Sequence, residues 1–214
     1  MFYDPHQAAG CPTDGRSKGN RINMQLKPVT LLPLIALVLS ACSTVPVVHN
    51  PSGVDVTVTP LTQNQAKVYY GIGIPYNPNP FLPESGIVSQ KYDYIVLRIQ
   101  IAALHATTVG IVSANAVDSK GTIVARLYDR RSFTQITKDT YINEPNTVPA
   151  LTLKIEQNYF PDNGVTMTKE GTATYAAVLV GKHPLAKNLN VEVEVQVGAN
   201  VAPRIFHFTV NPIT

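Results

Sequence analysis

From Leu189 to Val197 the chain reads Leu-Asn-Val-Glu-Val-Glu-Val-Gln-Val, apolar and polar residues alternating without a fault. Side chains on a strand point to its two faces in turn, so this run specifies a sheet with one face on a core and the other in water. A second run of the same kind spans Tyr94 to Ala103. There Ile95, Leu97, Ile99, Ile101 and Ala103 share one face, and Arg98 and Gln100 point the other way. Two half-buried strands nearly a hundred residues apart commit much of the chain to a sheet.

The remaining segments extend that reading. Val54 to Thr59 alternates and predicts a first strand, and Ala66 to Gly73 predicts a second strand or a turn leading out of it. Pro75-Tyr76-Asn77-Pro78-Asn79-Pro80-Phe81-Leu82-Pro83 is too proline-rich for a sheet interior and predicts a surface loop of polyproline character. Thr107 to Val117 is an apolar run broken by Gly110, and Asp118 to Gly121 is a turn. Thr122 to Tyr128 then returns as the partner strand. Asp129 to Val148 is polar and mixed, with no element assigned. Leu151, Leu153 and Ile155 alternate with Thr152, Lys154 and Glu156. Turns are expected at Pro161 to Gly164 and Lys169 to Gly171. Thr172 to Val180 alternates little and suits a strand buried on both faces. Ile205 to Val210 closes the chain with Phe206, Phe208 and Val210 on one side. About eight or nine short strands with no evident helical period predict an all-β fold, a two-sheet antiparallel sandwich, with a closed barrel as the structural alternative.

Ahead of the strands lies a different kind of segment. Met24-Gln25-Leu26-Lys27 carries one positive charge, Val29 to Leu39 is almost wholly apolar, and Leu39-Ser40-Ala41-Cys42 follows. A charged start, an apolar stretch and small residues before a cleavage point make a secretory signal. As a helix, Val29 to Leu39 would rise roughly 16 Å, about half of a ~30 Å hydrocarbon core, and Pro28 and Pro33 interrupt it. The cysteine directly after the small residues resembles a bacterial lipoprotein signal. That resemblance implies a diacylglyceryl group on the Cys42 thiol, cleavage before it, and acylation of the new N-terminus, commonly with palmitate. It also implies a cell-envelope location. Ser43 is not the aspartate that commonly retains such proteins at the inner membrane, so the outer membrane is the expected site. Residues 1–23 read as an extension ahead of a true start at Met24, with an extended n-region carrying Arg16, Lys18, Arg21 and Lys27 as the alternative, residues 24–41 as the signal peptide, and residues 42–53 as an extended tether. Residues 54–214 form the folded domain.

Without the part ahead of Cys42, the formal charge of +3 falls close to neutral, because Arg16, Lys18, Arg21 and Lys27 outnumber Asp4 and Asp14 there. No basic block remains to attract nucleic acid or anionic lipid. Cys11 lies in the extension and Cys42 would be acylated, so the domain relies on its hydrophobic core without a disulfide.

A second resemblance spans roughly residues 90 to 211. Tyr94 to Ile101, then Val117-Asp118-Ser119-Lys120-Gly121, then Glu170-Gly171-Thr172-Ala173-Thr174-Tyr175, an alternating strand and a terminal Phe-x-Phe-x-Val are similar to immunoglobulin-like domains of unknown function on bacterial lipoproteins. It implies an immunoglobulin-like sandwich and an envelope location, with no catalytic or ligand motif. The usual tryptophan and cysteine pair of immunoglobulin cores are missing.

Chemistry is hard to find. His49, His105, His183 and His207 have no close ligand partner in sequence, which argues against a metal site. No Gly-x-Ser-x-Gly elbow or glycine-rich phosphate cradle is present. Glu192 and Glu194 stand roughly 7 Å apart on one strand face, a spacing glycosidases use, but they read first as the wet side of a sheet. What remains is surface: sheet edges, exposed Tyr76 and Phe81 on the proline-rich loop, and hydrogen-bond donors at Arg126, Arg130 and Arg131. The expected function is a non-enzymatic envelope lipoprotein, a structural or adaptor subunit acting through protein–protein contacts, with Tyr76 and Phe81 as partner-binding residues. An envelope-spanning assembly such as a secretion-system core would suit it. No cofactor, metal or nucleic-acid partner is expected. A ligand- or cell-wall-binding module is the alternative, and a hydrolase whose site converges only in three dimensions is a third reading.

Overall fold

Most of the alternating segments form strands, and three short helices accompany them among the described residues. The computed structural model describes residues 53–73, 78–83 and 91–213. In chain order the elements are β1 (Val54–Pro60), α1 (Gln63–Tyr70), β2 (Tyr92–Ala103), β3 (Thr107–Val117), β4 (Ile123–Leu127), α2 (Arg130–Thr140), α3 (Val148–Asn158), β5 (Val165–Met167), β6 (Gly171–Lys182), β7 (Leu189–Val197) and β8 (Arg204–Val210).

The protein is mostly β, and every strand pairing is antiparallel. The path runs β1-β2-β6-β4-β3-β7-β8, with β5 added to β3. The expected pair of separate sheets is therefore joined: short β4 bonds to β6 on one side and to β3 on the other. The joined sheet curls until its two ends approach. Arg204 of β8 spans the seam, its Nη2 donating to the Val54 carbonyl of β1 at 2.9 Å.

Two apolar clusters hold the fold. The first lies inside the curl and gathers the inward residues of both halves: Val56 and Val58, Leu97 and Ile99, Leu179, and Val191, Val193 and Val195 of β7. The valine face of β7 is buried, as its alternation demands. The second lies on the outer side of β2 and β6, where Tyr94, Val96, Ala176, Val178 and Val180 meet the helices. Residues Ala176 to Val180 are consecutively buried because both faces of β6 are covered. Burying a large apolar side chain contributes about 1.5–3 kcal/mol.

The helices correct two expectations and fill one stretch that had no element assigned. The 66–73 segment is not a strand: α1 begins at Thr62, whose side chain accepts from the Gln65 N–H while Gln65 reaches back to the Thr62 N–H. This reciprocal cap satisfies two N–H groups that a helix start leaves orphaned. The unassigned 129–148 stretch contains α2, capped by Asp129 through the Ser132 N–H at 2.6 Å. Leu151 and Ile155 are not strand residues but sit one helical turn apart on α3, both buried, while Leu153 between them is exposed. Four-residue spacing is common to an alternating strand and a helix face, and here the outer face of β6 supplies the apolar surface that favours the helix.

Tyr159, just past α3, ties this layer to the sheet. Its buried hydroxyl donates to the Tyr128 carbonyl at 2.6 Å and accepts the Val178 N–H at 3.2 Å. Burial holds that hydroxyl well above the usual phenol range. The turn before β5 is equally constrained. Gly164 adopts φ +79°, and a side chain there would lie 2.7 Å from the Val109 carbonyl oxygen.

Candidate interaction surface

Among the described residues, the three helices pack on one half of the curled sheet and none packs on the outer face of the other half. Register places its outward side chains in rows. Arg126 on β4 pairs with Asn115 on β3, Asn115 with Glu192 on β7, and Glu192 with His207 on β8. His207 Nδ1 lies 3.7 Å from Glu192 Oε2, with both side chains mostly exposed. In the next row Thr209 Oγ1 donates to Asn190 Oδ1 at 3.3 Å. On the other side Ser113 Oγ donates to Glu194 Oε2 at 3.2 Å. A groove of about 510 Å³ runs over these rows, lined by Asn115, Asn190, Glu192, His207, Phe208 and Thr209 among others. Val112, Ile123 and Ile205 stand exposed on the same strands.

This face mixes amides, one carboxylate–imidazole pair and apolar side chains. It can hydrogen-bond and exclude water over an extended contact. Glu192 and Glu194 occupy the wet side that their alternation predicts, each beside a polar neighbour. Among the described residues no group of three His, Cys, Asp or Glu is placed to hold a metal ion. No described helix is long and apolar enough to cross a membrane.

The sequence-predicted contact residues fare differently. Cys42 and Tyr76 lie outside the described residues. Phe81 is a correction. Its side chain is 0% exposed and cannot reach a partner. Its ring sits 4.5 Å from that of Tyr70 and 5.9 Å from that of Phe133, in the second cluster. Asn79 brings it there. The Asn79 amide donates to the carbonyls of Ala66 and Gly71 at 3.1 and 2.7 Å, and its oxygen accepts the Phe81 N–H at 2.9 Å. The loop is thereby fastened to the end of α1, with Phe81 turned inward. Arg126 and the Arg130–Arg131 pair fall on different elements. Arg130, Arg131 and Lys138 line a groove of about 530 Å³ together with Glu156 and Asp162, so its charges are mixed.

Two arrangements escaped the sequence reading. Asp93 is completely buried and accepts from both His183 and the Leu185 N–H. Arg98 emerges from β2 against Tyr69 of α1. A signal existed for each: both are charged residues inside the most apolar strand, where an unpaired charge is costly. No protein-family model, curated protein or solved structure matches the chain.

Proposed function

We propose that the chain is a non-enzymatic, lipid-anchored protein of a diderm bacterial envelope, a structural or adaptor subunit acting through protein–protein contacts. The anchor is Cys42, and the outer membrane is the expected location. The uncovered face of β3, β7 and β8 carries this reading, because it offers a broad mixed surface where the opposite half is closed by helices. An envelope-spanning assembly such as a secretion-system core is the kind of setting that uses such a subunit. The immunoglobulin-like reading of the domain has parallel support: β1-β2-β6 and β3-β7-β8 bury side chains against one another across the first cluster, with β4 as the link.

The groove over Asn115, Asn190, Glu192 and Thr209 favours one second reading, a ligand- or cell-wall-binding module, since amides and hydroxyls in register suit a hydroxyl-rich polymer. Photo-crosslinkers placed in cells at Ile205 on the open face and at Gln135 on α2 separate these readings. An adaptor gives a discrete envelope-protein adduct from Ile205 and none from Gln135. Adducts of the same pattern from both positions would remove the support for the open face. Retention on isolated cell wall without a protein adduct would favour the second reading.

A further inference from the structure

Three turns gather at the end of the sheet where the chain enters the domain. The Gly53 carbonyl, just ahead of β1, accepts the Leu104 N–H at 2.9 Å, so the entry is fastened to the turn between β2 and β3. Arg204, at the start of β8, bonds the Val54 carbonyl and brings the β7–β8 turn to the same place. Register sets Ala103 against both Val54 and Gly171, which adds the β5–β6 turn. Two of these turns carry aliphatic tips: Leu104 is 69% exposed and Val201 45%. The Val201 turn is held in shape from within. Gln196 Nε2 donates to the carbonyls of Gly198 and Val201, and the Gly198 N–H donates to the Thr108 carbonyl at 2.8 Å. By contrast, β3 runs away from this end and delivers the polar turn Asp118 to Gly121 to the opposite one.

Residues 43–53 separate Cys42 from Val54. Fully drawn out they span at most about 40 Å, roughly the length of twelve-residue β2. Standing the domain on its opposite end would stretch this tether to its limit, at a cost in chain entropy. The entry end meets a bilayer without that cost. A short tether also keeps the turns at high effective concentration against the membrane, so a small apolar contact suffices. Lys169 and Arg204 are matched at this end by Asp55 and Glu170, which leaves apolar contact rather than charge to hold it there. We propose that the domain stands on its entry end, with Leu104 and Val201 dipping into the interfacial layer of the phospholipid bilayer. The proposal rests on the lipid anchor at Cys42 and is independent of any partner on the open sheet face.

The chain contains no tryptophan, so a single introduced indole reports its own surroundings. Leu104→Trp, Val201→Trp and Ser119→Trp, each made in the full chain, are purified from cells and reconstituted with phosphatidylcholine vesicles brominated on the acyl chains. Emission should be lost at positions 104 and 201 and kept at position 119, relative to unbrominated vesicles. An indole itself favours the interface, so a further chain keeps both aliphatic tips and carries Thr168→Trp on the third turn. Adding Leu104→Ser and Val201→Ser to that chain should restore its emission, and the melting temperature should hold because both side chains are exposed. Vesicles of equal parts phosphatidylcholine and phosphatidylglycerol should give the same quenching. Flotation of the unsubstituted chain with the vesicles reads the anchor separately. A chain that floats while positions 104 and 201 stay bright overturns the docking and leaves the anchor standing. Equal quenching at position 119, a Thr168→Trp signal indifferent to the serines, or quenching that needs the anionic lipid does the same. A chain that does not float removes the anchor, and the proposal with it.

Discussion

Oδ1 of Asp93 lies 2.9 Å from Nδ1 of His183, and Oδ2 of the same carboxylate accepts the Leu185 N–H at 2.6 Å. One buried side chain at the start of β2 thus fixes the loop that leaves β6. A buried acceptor that loses such bonds leaves donors unsatisfied, at about 1–3 kcal/mol. Asp93→Ala should lower the unfolding free energy read from urea melts by an amount in that range. It should also speed hydrogen exchange at Leu185. An unchanged midpoint would mean that the loop is held by its other contacts.

The faces of β7 make a sharper test. Val193 is 0% exposed and Glu192 points to water. Val193→Asp places a charge in the first cluster with no partner and should unfold the domain. Glu192→Lys should stay within about 0.5 kcal/mol of the parent, as surface changes usually do. A one-residue shift of register would reverse these outcomes, so thermal melts of the two variants check the strand directly.

Phe81 belongs to the second cluster, in contact with rings from α1 and α2. Truncation to alanine leaves a cavity, and Phe81→Ala should cost about 3–5 kcal/mol. Its effect on partner binding should follow unfolding alone. Reduced binding at an unchanged melting temperature would return the ring to the surface.

Asp118 contributes a pH dependence. Its carboxylate accepts the N–H groups of Thr122 and Lys120, each at 2.9 Å, and the Thr122 bond chiefly lowers its pKa below the ordinary 3.8. A depressed folded pKa adds stability above the unfolded value, lost as pH falls through the folded one. Asp118→Asn should therefore narrow the stability gap between neutral and strongly acidic solution, read from urea melts at both. Identical pH profiles would show that the turn gains nothing from the charge.

The proposed lipid anchor is tested by Cys42→Ser. A single acyl chain binds membranes only marginally, with an association constant of about 10⁴ M⁻¹, whereas two or three hold stably. The variant should stay uncleaved or leave the membrane fraction. An unchanged processed mass together with unchanged membrane retention would exclude lipidation at this position.

Much of the sheet was legible because periodicity is a local property. The valines of β7 and the unbroken run in β6 each state in sequence which faces are covered. The helices were less legible, since Leu151 and Ile155 fit a strand or a helix, and only the outer face of β6 decides between them. One local signal was present: Thr62 and Gln65 stand at the spacing of a capping box. The direction of Phe81 had no local signal, because Asn79 sets it through carbonyls in α1, across a gap in sequence that composition does not report. The face row of Asn115, Glu192 and His207 depends likewise on pairings between distant strands.

The hydroxyl of Tyr159 occupies a place in the ladder beside β6, between the Tyr128 carbonyl and the Val178 N–H. A helix held only by apolar packing can detach and leave its sheet intact. Here detachment removes a rung from a central strand, so helical layer and sheet should open as a single cooperative unit, and the Val178 amide should exchange only with global unfolding.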